Sequence, residues 1–327
     1  MKKKIIYYSV IVFALLFIVG LYYYYQNRSS QKSEGTKIES VRIGSFSTAV
    51  DYAPYLIAKN KGWFEEAFKD KGIKVEYITF QSLPPLNEAL ATNKVDVLFQ
   101  AEPPAIVGRA AGIDVKIVDI SCSITLGILV NSNSNIETVV DLKKKKIALL
   151  AGTGAHYGVL KILERNGISK KDVEIIDMMP PDAKNAFETG KVDAWAVWSP
   201  FIDQVELSKK GRVLPNSNFE IQSIMAARGK FISDNKEEFA IIQKVFRKSK
   251  EWMLQNPQEA QSIVAKELGL DLEVVQKAWG RHNWSVELSP EIIRDIQNKA
   301  DFLFNEGFVE KQINVERDLI NASVAEQ

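Results

Sequence analysis

The stretch ALATNKVDVLFQAEP at residues 89–103 returns as AFETGKVDAWAVWSP at residues 186–200. Ala89, Thr92, Lys94, Val95, Asp96 and Pro103 recur as Ala186, Thr189, Lys191, Val192, Asp193 and Pro200 in unbroken register. Each copy has the same physical grammar. A helix ends at a residue that tolerates the left-handed backbone, Asn93 or Gly190. A short strand with β-branched residues follows, and a proline stands just past its end. Two copies predict two lobes built on one plan. Glu102 and Ser199, each preceding a proline, then occupy matched strand ends, where α/β proteins place ligands.

The same grammar extends outward from the repeat. Residues 41–45, 74–80, 95–99 and 115–120 read as strands, alternating with helices at 52–60, 84–91 and 104–111. The pattern restarts with strands at 146–150, 173–178 and 192–197 and helices at 155–166 and 182–189. Strands alternating with helices predict mostly parallel sheets flanked by helices. Residues 221–227 read as a return strand. Beyond them the chain is helical, with a capping signal at Asp234 and Glu237 and a Ser289-Pro290 helix start. The expected α/β architecture has one lobe from residues 40–125 and 228–327, the latter carrying the C-terminal helices. The other lobe is residues 126–227. Two chain crossings, near 123–129 and 221–227, join them and permit a hinge.

Composition limits the function classes. The 327 residues suit about two domains. With 42 basic and 41 acidic residues the net charge is +1, so no bulk field draws nucleic acid. Cys122 is the single cysteine, which excludes an internal disulfide and a CxxC metal pair. His156 and His282 are the only histidines and form no metal-ligating pattern. No P-loop and no GxSxG elbow occurs. The residues therefore imply no catalytic group, no metal and no cofactor.

The N-terminus stands apart. Lys2, Lys3 and Lys4 precede an uncharged run at residues 5–25, ending in Tyr22 to Tyr25. As a helix that run spans roughly 30 Å, the thickness of a bilayer core. It lacks a good small-x-small cleavage site. Residues 1–25 are expected to be an uncleaved membrane anchor, with a cleaved signal as the alternative. Either way the body lies outside the cytoplasm, on a polar tether at residues 26–39.

The strand-end loops carry the candidate site. Those loops supply Ser47, Thr48, Gln81, Glu102, Ser123, Thr153, Gly154, Ala155, His156, Trp198 and Ser199. Hydroxyls and helix N-terminal amides suit an anion without a balancing lysine. The loop Ala151-Gly152-Thr153-Gly154-Ala155-His156 is the sharpest, since its glycines let backbone approach a ligand. Gly152, Gly154 and Gly158, with Asp177 downstream, also mimic a dinucleotide fingerprint at imperfect spacing. Trp198, at a strand end, is expected to wall the apolar part of a ligand, and Trp195 to lie in the core.

These segments resemble the solute-binding proteins of the nitrate/sulfonate/taurine class of ABC importers, most closely the aliphatic-sulfonate branch. The resemblance runs from about residue 41 to 308. The matching pieces are APYLIAKNKGWFEE (53–66), PPLNEALATNKVDVLF (84–99), AEPPAIVGRAAG (101–112), DLKKKKIAL (141–149), GTGAHYGVLKILERNGI (152–168) and KVDAWAVWSPF (191–201). It implies a two-lobed, periplasmic-binding-protein-like fold of type II, a cleft that closes on ligand, and no catalysis. An oxyanion would be held by the loop with Ser47 and Thr48 and by Thr153, Gly154 and Ala155. Glu102 matches the family's acidic residue before a proline pair. Ser199 replaces an Asp of taurine-type relatives, which points away from taurine. Nitrate, taurine or a thiamine-precursor heterocycle are the alternative ligands that the wider class implies. A related group of thiamine-pyrimidine-forming enzymes uses a cysteine-rich segment, which the lone Cys122 does not supply. The implied partners are a permease and an ATPase on separate chains, with this chain acting as a monomer.

Overall fold

The computed structural model describes residues 38–46, 49–81 and 83–321. The expected anchor at residues 1–25, nearly all of the tether, and Ser47 and Thr48 lie outside the described residues. No helix among the described residues is long and apolar enough to cross a membrane.

Residues 40–321 carry two copies of one three-strand unit. β1 (Ser40–Phe46), β2 (Lys74–Phe80) and β3 (Val97–Ala101) are parallel and lie in the order β2-β1-β3. After β4 (Val115–Asn131), the strands β5 (Lys146–Leu149), β6 (Glu174–Asp177) and β7 (Ala194–Val197) repeat the arrangement as β6-β5-β7. β8 (Gly211–Val213) and β10 (His282–Asn283) pair with β4 off the main path. With β9 (Phe219–Arg228), the full order is β2-β1-β3-β9-β4-β7-β5-β6.

The duplicated sequence turns out to be a duplicated set of hydrogen bonds. Thr92 Oγ1 donates to Glu88 O at 2.8 Å, and Thr189 Oγ1 to Asn185 O at 2.7 Å. Asn93 has φ 60° and Gly190 φ 70°, so both helices end through the left-handed region. The next amides, of Lys94 and Lys191, each donate to the alanine five residues back at 2.8 Å. Asp96 accepts from the Arg42 amide at 3.0 Å, and Asp193 from the Lys146 amide at 2.8 Å. Each aspartate thus satisfies an orphan donor at the start of the neighbouring parallel strand.

β4 is longer than its sequence pattern suggests. The strand expected at 115–120 continues for 17 residues. Residues 115–126 pair antiparallel with β9, and residues 127–130 pair with β7. The same strand therefore belongs to both halves. Ser123, which reads as a loop residue, is a strand residue.

The C-terminal helices return to the first half. Lys236–Gln255 and Pro257–Leu268 pack on Ala53–Asn60. Phe99 joins them through stacking on Tyr55 at 4.7 Å and contact with Phe246 at 5.6 Å. Ser289 caps the last long helix, accepting from the Ile292 amide at 3.3 Å. The expected Asp234–Glu237 capping box does not form. Asp234 takes Lys230 at 2.8 Å and Glu237 takes Lys71 at 2.8 Å. The tail also reaches the second half: Leu272–Trp279 packs on Phe201–Leu207, and Arg281 pairs with Asp203 at 2.8 Å.

Candidate binding site

A small cavity lies where the two halves meet. From the first half it is lined by Phe46, Ala49, Asp51, Tyr52 and Ala101; from the second by Thr153, Gly154, Ala155 and Trp198. Ile124, Leu126 and Ile221, on the strands that cross between halves, complete the lining. Phe46 and Trp198 meet edge to face at 5.7 Å, one ring from each half. The walls are thus apolar and aromatic, with few polar groups.

The sharpest polar feature is the start of the helix Gly154–Arg165. Thr153 is its N-cap: the hydroxyl donates to Leu150 O at 2.7 Å and accepts from the His156 amide at 3.4 Å. The amides of Gly154 and Ala155 precede the first intrahelical hydrogen bond, and both residues line the cavity. Free amides at the positive end of a helix suit an oxyanion. Gly152 shapes the loop with φ 77°. At Gly154 a Cβ would meet Ile221 Cδ1 at 2.6 Å, and at Gly158 it would meet the Phe219 ring at 2.2 Å. These two glycines let the helix sit against β9. Asp177 accepts from the Ala151 amide at 2.8 Å and ties down the loop. The fingerprint-like spacing is thereby accounted for without a dinucleotide.

The candidate residues from the sequence separate into three groups. Thr153, Gly154, Ala155 and Trp198 come together on the cavity. Ser47 and Thr48 lie outside the described residues. The remaining five do not line the cavity. Gln81 is exposed at a bend after β2. Ser123 is buried and its hydroxyl donates to Gln222 Oε1, because it points from a paired strand and not from a loop. His156 offers Nδ1 to the Gly152 amide at 3.3 Å and packs on Phe308 at 4.9 Å. Burial lowers its pKa, against the pull of Asp177. Ser199 is 1% exposed.

Glu102 requires the largest revision. Its carboxylate holds Lys299 at 2.6 Å and accepts the Gln222 amide at 2.8 Å. Glu102 and Lys299 are both buried. Burial opposes the Lys299 ammonium, but Glu102 and Asp295 outweigh it and raise its pKa. A carboxylate so paired has no charge to offer a ligand. It ties the first half's strand end to β9 and to the helix Pro290–Asn305.

Asp51 is the charged residue that sequence reasoning passed over. It is 5% exposed and lines the cavity. Its backbone oxygen accepts from Ser121 Oγ at 2.6 Å, which fixes its position. Burial pushes its carboxyl up to about 6, against the pull of the neighbouring Ser223 hydroxyl. The one sequence signal was its place between the strand read at 41–45 and Tyr52-Ala53-Pro54.

A family model described as NMT1/THI5 like matches residues 49–260. The chain belongs to the NMT1/THI5-like family. Within it, the chain is 34% identical over 291 residues to a Bacillus subtilis (strain 168) protein, by name an aliphatic sulfonates-binding protein. That alignment covers 87% of this chain and 86% of the relative. An Escherichia coli (strain K12) protein with the same name is 28% identical, covering 85% and 87% of the two chains. The alkanesulfonate-binding protein SsuA from Xanthomonas axonopodis pv. citri, solved bound to MOPS, superposes with a TM-score of 0.75 at 24% identity. It covers 87% of this chain and 99% of its own, and shares the fold of this family member.

Proposed function

We propose that this chain is the extracytoplasmic solute-binding subunit of an ABC importer, capturing a small organic sulfonate between its two lobes. The observation that carries this reading is the meeting of Phe46 and Trp198 over a cavity that Gly154 and Ala155, at a helix N-terminus, also line. Apolar rings suit the carbon part of such a ligand, and amides at a helix N-terminus suit its oxyanion. The relatives named for aliphatic sulfonates support the ligand class. The ligand contacts we assign are Thr153, Gly154, Ala155 and Trp198, with Ser47 and Thr48 from the adjoining loop.

We divide the body into residues 40–125 with 228–327 and residues 126–227, closing about the two crossings. A permease and an ATPase on separate chains would receive the ligand from a monomeric receptor. An anchor at residues 1–25 would hold the receptor near its permease and raise the effective concentration. Titration with alkanesulfonates of increasing length tests the function. We expect a change in Trp198 emission and a rise in Tm with ligand concentration. No response to any sulfonate would refute the sulfonate assignment.

A further inference from the structure

The turn that leads into the helix Gly154–Arg165 is tied down before the cavity is reached. The Ala151 amide donates to Asp177 at 2.8 Å, and the Gly152 amide donates to His156 Nδ1 at 3.3 Å. The main-chain amide of His156 donates in turn to Thr153 Oγ1 at 3.4 Å. His156 therefore grips the turn twice, by its ring at Gly152 and by its backbone at Thr153. The ring itself is held from outside the turn. Phe308, which follows the C-terminal helix Pro290–Asn305, meets it edge to face at 4.9 Å and 85°. That helix also backs the residues beyond, with Phe302 against Tyr157 at 5.6 Å and beneath the Lys161 ammonium at 4.6 Å. Past the helix end, Lys170 donates to Glu306 O at 2.9 Å.

We infer that His156 is a positioning residue for the anion end of the cavity: its ring, seated against Phe308, accepts the Gly152 amide at Nδ1 and so fixes the turn that leads into Gly154 and Ala155. This rests on the sulfonate reading above and adds to it a residue that does not touch the ligand, since His156 is not among the cavity-lining residues. A donor weakens steeply as its angle to the acceptor worsens, so a binding turn has to be set in advance by its supports. An accepting Nδ1 requires the ring proton on Nε2, and a doubly protonated ring could not accept at all. Burial lowers the His156 pKa from an ordinary 6.5; Asp177 opposes this and Lys170 adds to it, so the ring is neutral at neutral pH. The chain's other histidine is built the opposite way. His282 Nδ1 lies 2.7 Å from Ala278 O, a carbonyl, which requires the proton on Nδ1. The two histidines are thus expected as opposite tautomers.

Nitrogen NMR of the full-length protein in mild detergent, with its histidines isotope-labelled, reads the tautomers directly. We expect one neutral ring protonated at Nε2 and one at Nδ1, with the Nε2–H signal absent from His156→Asn. A wild type with both rings Nδ1–H would overturn the inference without any variant. Two variants, each checked by a melting curve, then separate positioning from packing. His156→Phe keeps a ring against Phe308 and removes the acceptor. His156→Asn removes the ring and returns an oxygen at the place of Nδ1. In titrations with propane-, hexane- and octane-1-sulfonate, His156→Phe should weaken every ligand that binds by a common factor of about three to ten. His156→Asn should stay within about twofold of the wild type. Solvent exchange of the Gly152 amide should quicken in His156→Phe and not in His156→Asn. A loss in His156→Asn that equals or exceeds the loss in His156→Phe is the mark of packing and would overturn the inference. Unchanged affinity in His156→Phe would overturn it too, as would a factor that varies with ligand length, the sign of a ring touching the ligand. In each of these cases the wild type still binds and the sulfonate reading stands. If no sulfonate binds the wild type, that reading fails and the inference fails with it.

Discussion

Asp51→Asn should make the ligand-free protein more stable at neutral pH, and the gain should vanish in acid. Burial raises the Asp51 carboxyl from an ordinary 3.8 to about 6. Two pH units of difference between folded and unfolded states correspond to about 3 kcal/mol. The direction follows from proton counting. Between 3.8 and about 6 the folded state binds more protons than the unfolded state, so stability falls as pH rises through that window. Below the window the carboxyl is neutral in both states and costs nothing. Above it the full penalty is present. Asparagine is neutral throughout and escapes the penalty, although its amide adds a fixed, pH-independent cost. Tyr52 and Cys122, the titratable groups against Asp51, are both pushed up by burial and stay neutral over this range. The Lys250 ammonium, which acts on Cys122, is common to both proteins. Urea unfolding of wild type and variant at intervals from pH 4 to pH 8 gives the test. The stability difference should change by about 3 kcal/mol in favour of the variant, with most of the change between pH 4 and 6.5. Parallel curves would refute the reasoning, since they would mean that Asp51 titrates normally.

The two aspartates of the repeat should differ in what they contribute. Asp96 is 2% exposed and takes Arg42 and Arg228 at 2.7 Å each, besides the Arg42 amide. Asp96→Ala should cost about 1–3 kcal/mol by leaving two half-buried guanidinium groups and the Arg42 amide without their acceptor. Asp193→Ala removes a single strand-start hydrogen bond and should cost about 1 kcal/mol, a contrast readable in urea midpoints. Gly154→Ala should push a Cβ into Ile221 Cδ1, now 2.6 Å away, and displace the helix start from the cavity. We expect a stability loss of about 1–3 kcal/mol with a marked drop in sulfonate affinity, measured by calorimetry.

The repeat was legible because its hydrogen bonds are local or fall between neighbouring strands. Thr92 and Asn93 have their partners within one turn and so leave a contiguous trace, whereas Asp96 reaches Arg42, 54 residues back, and Arg228, 132 residues on. The loop at residues 151–156 was legible for the same reason: cap, glycines and helix follow one another along the chain. Glu102 was misread because its partner Lys299 lies 197 residues away, and no local pattern announces a buried ion pair. Ser123 was misread because hydroxyls at a strand end resemble a loop until the pairing with β9 is known. Asp51 was passed over for the same reason as Glu102: Ser121, which fixes it, lies 70 residues away, and sequence spacing does not announce its burial. The capping signal at Asp234 and Glu237 failed because Asp234 ends a short helix, Gly229–Asp234, and Asn235 takes the N-cap position of the next.

β4 passes from one half of the molecule to the other without a break in its pairing. Where it changes partner, from β9 to β7, stands Gly127, and a Cβ there would meet Val213 Cγ1 at 2.6 Å. A joint of this kind cannot turn like a door on a loop, because its backbone is already engaged on both sides. It must bend as a leaf spring does, sharing a small twist among many residues. Such a spring stores work when deflected and returns it on release. The rest angle of the cleft would then be a property of sheet stiffness, tunable by side chains that never approach the solute.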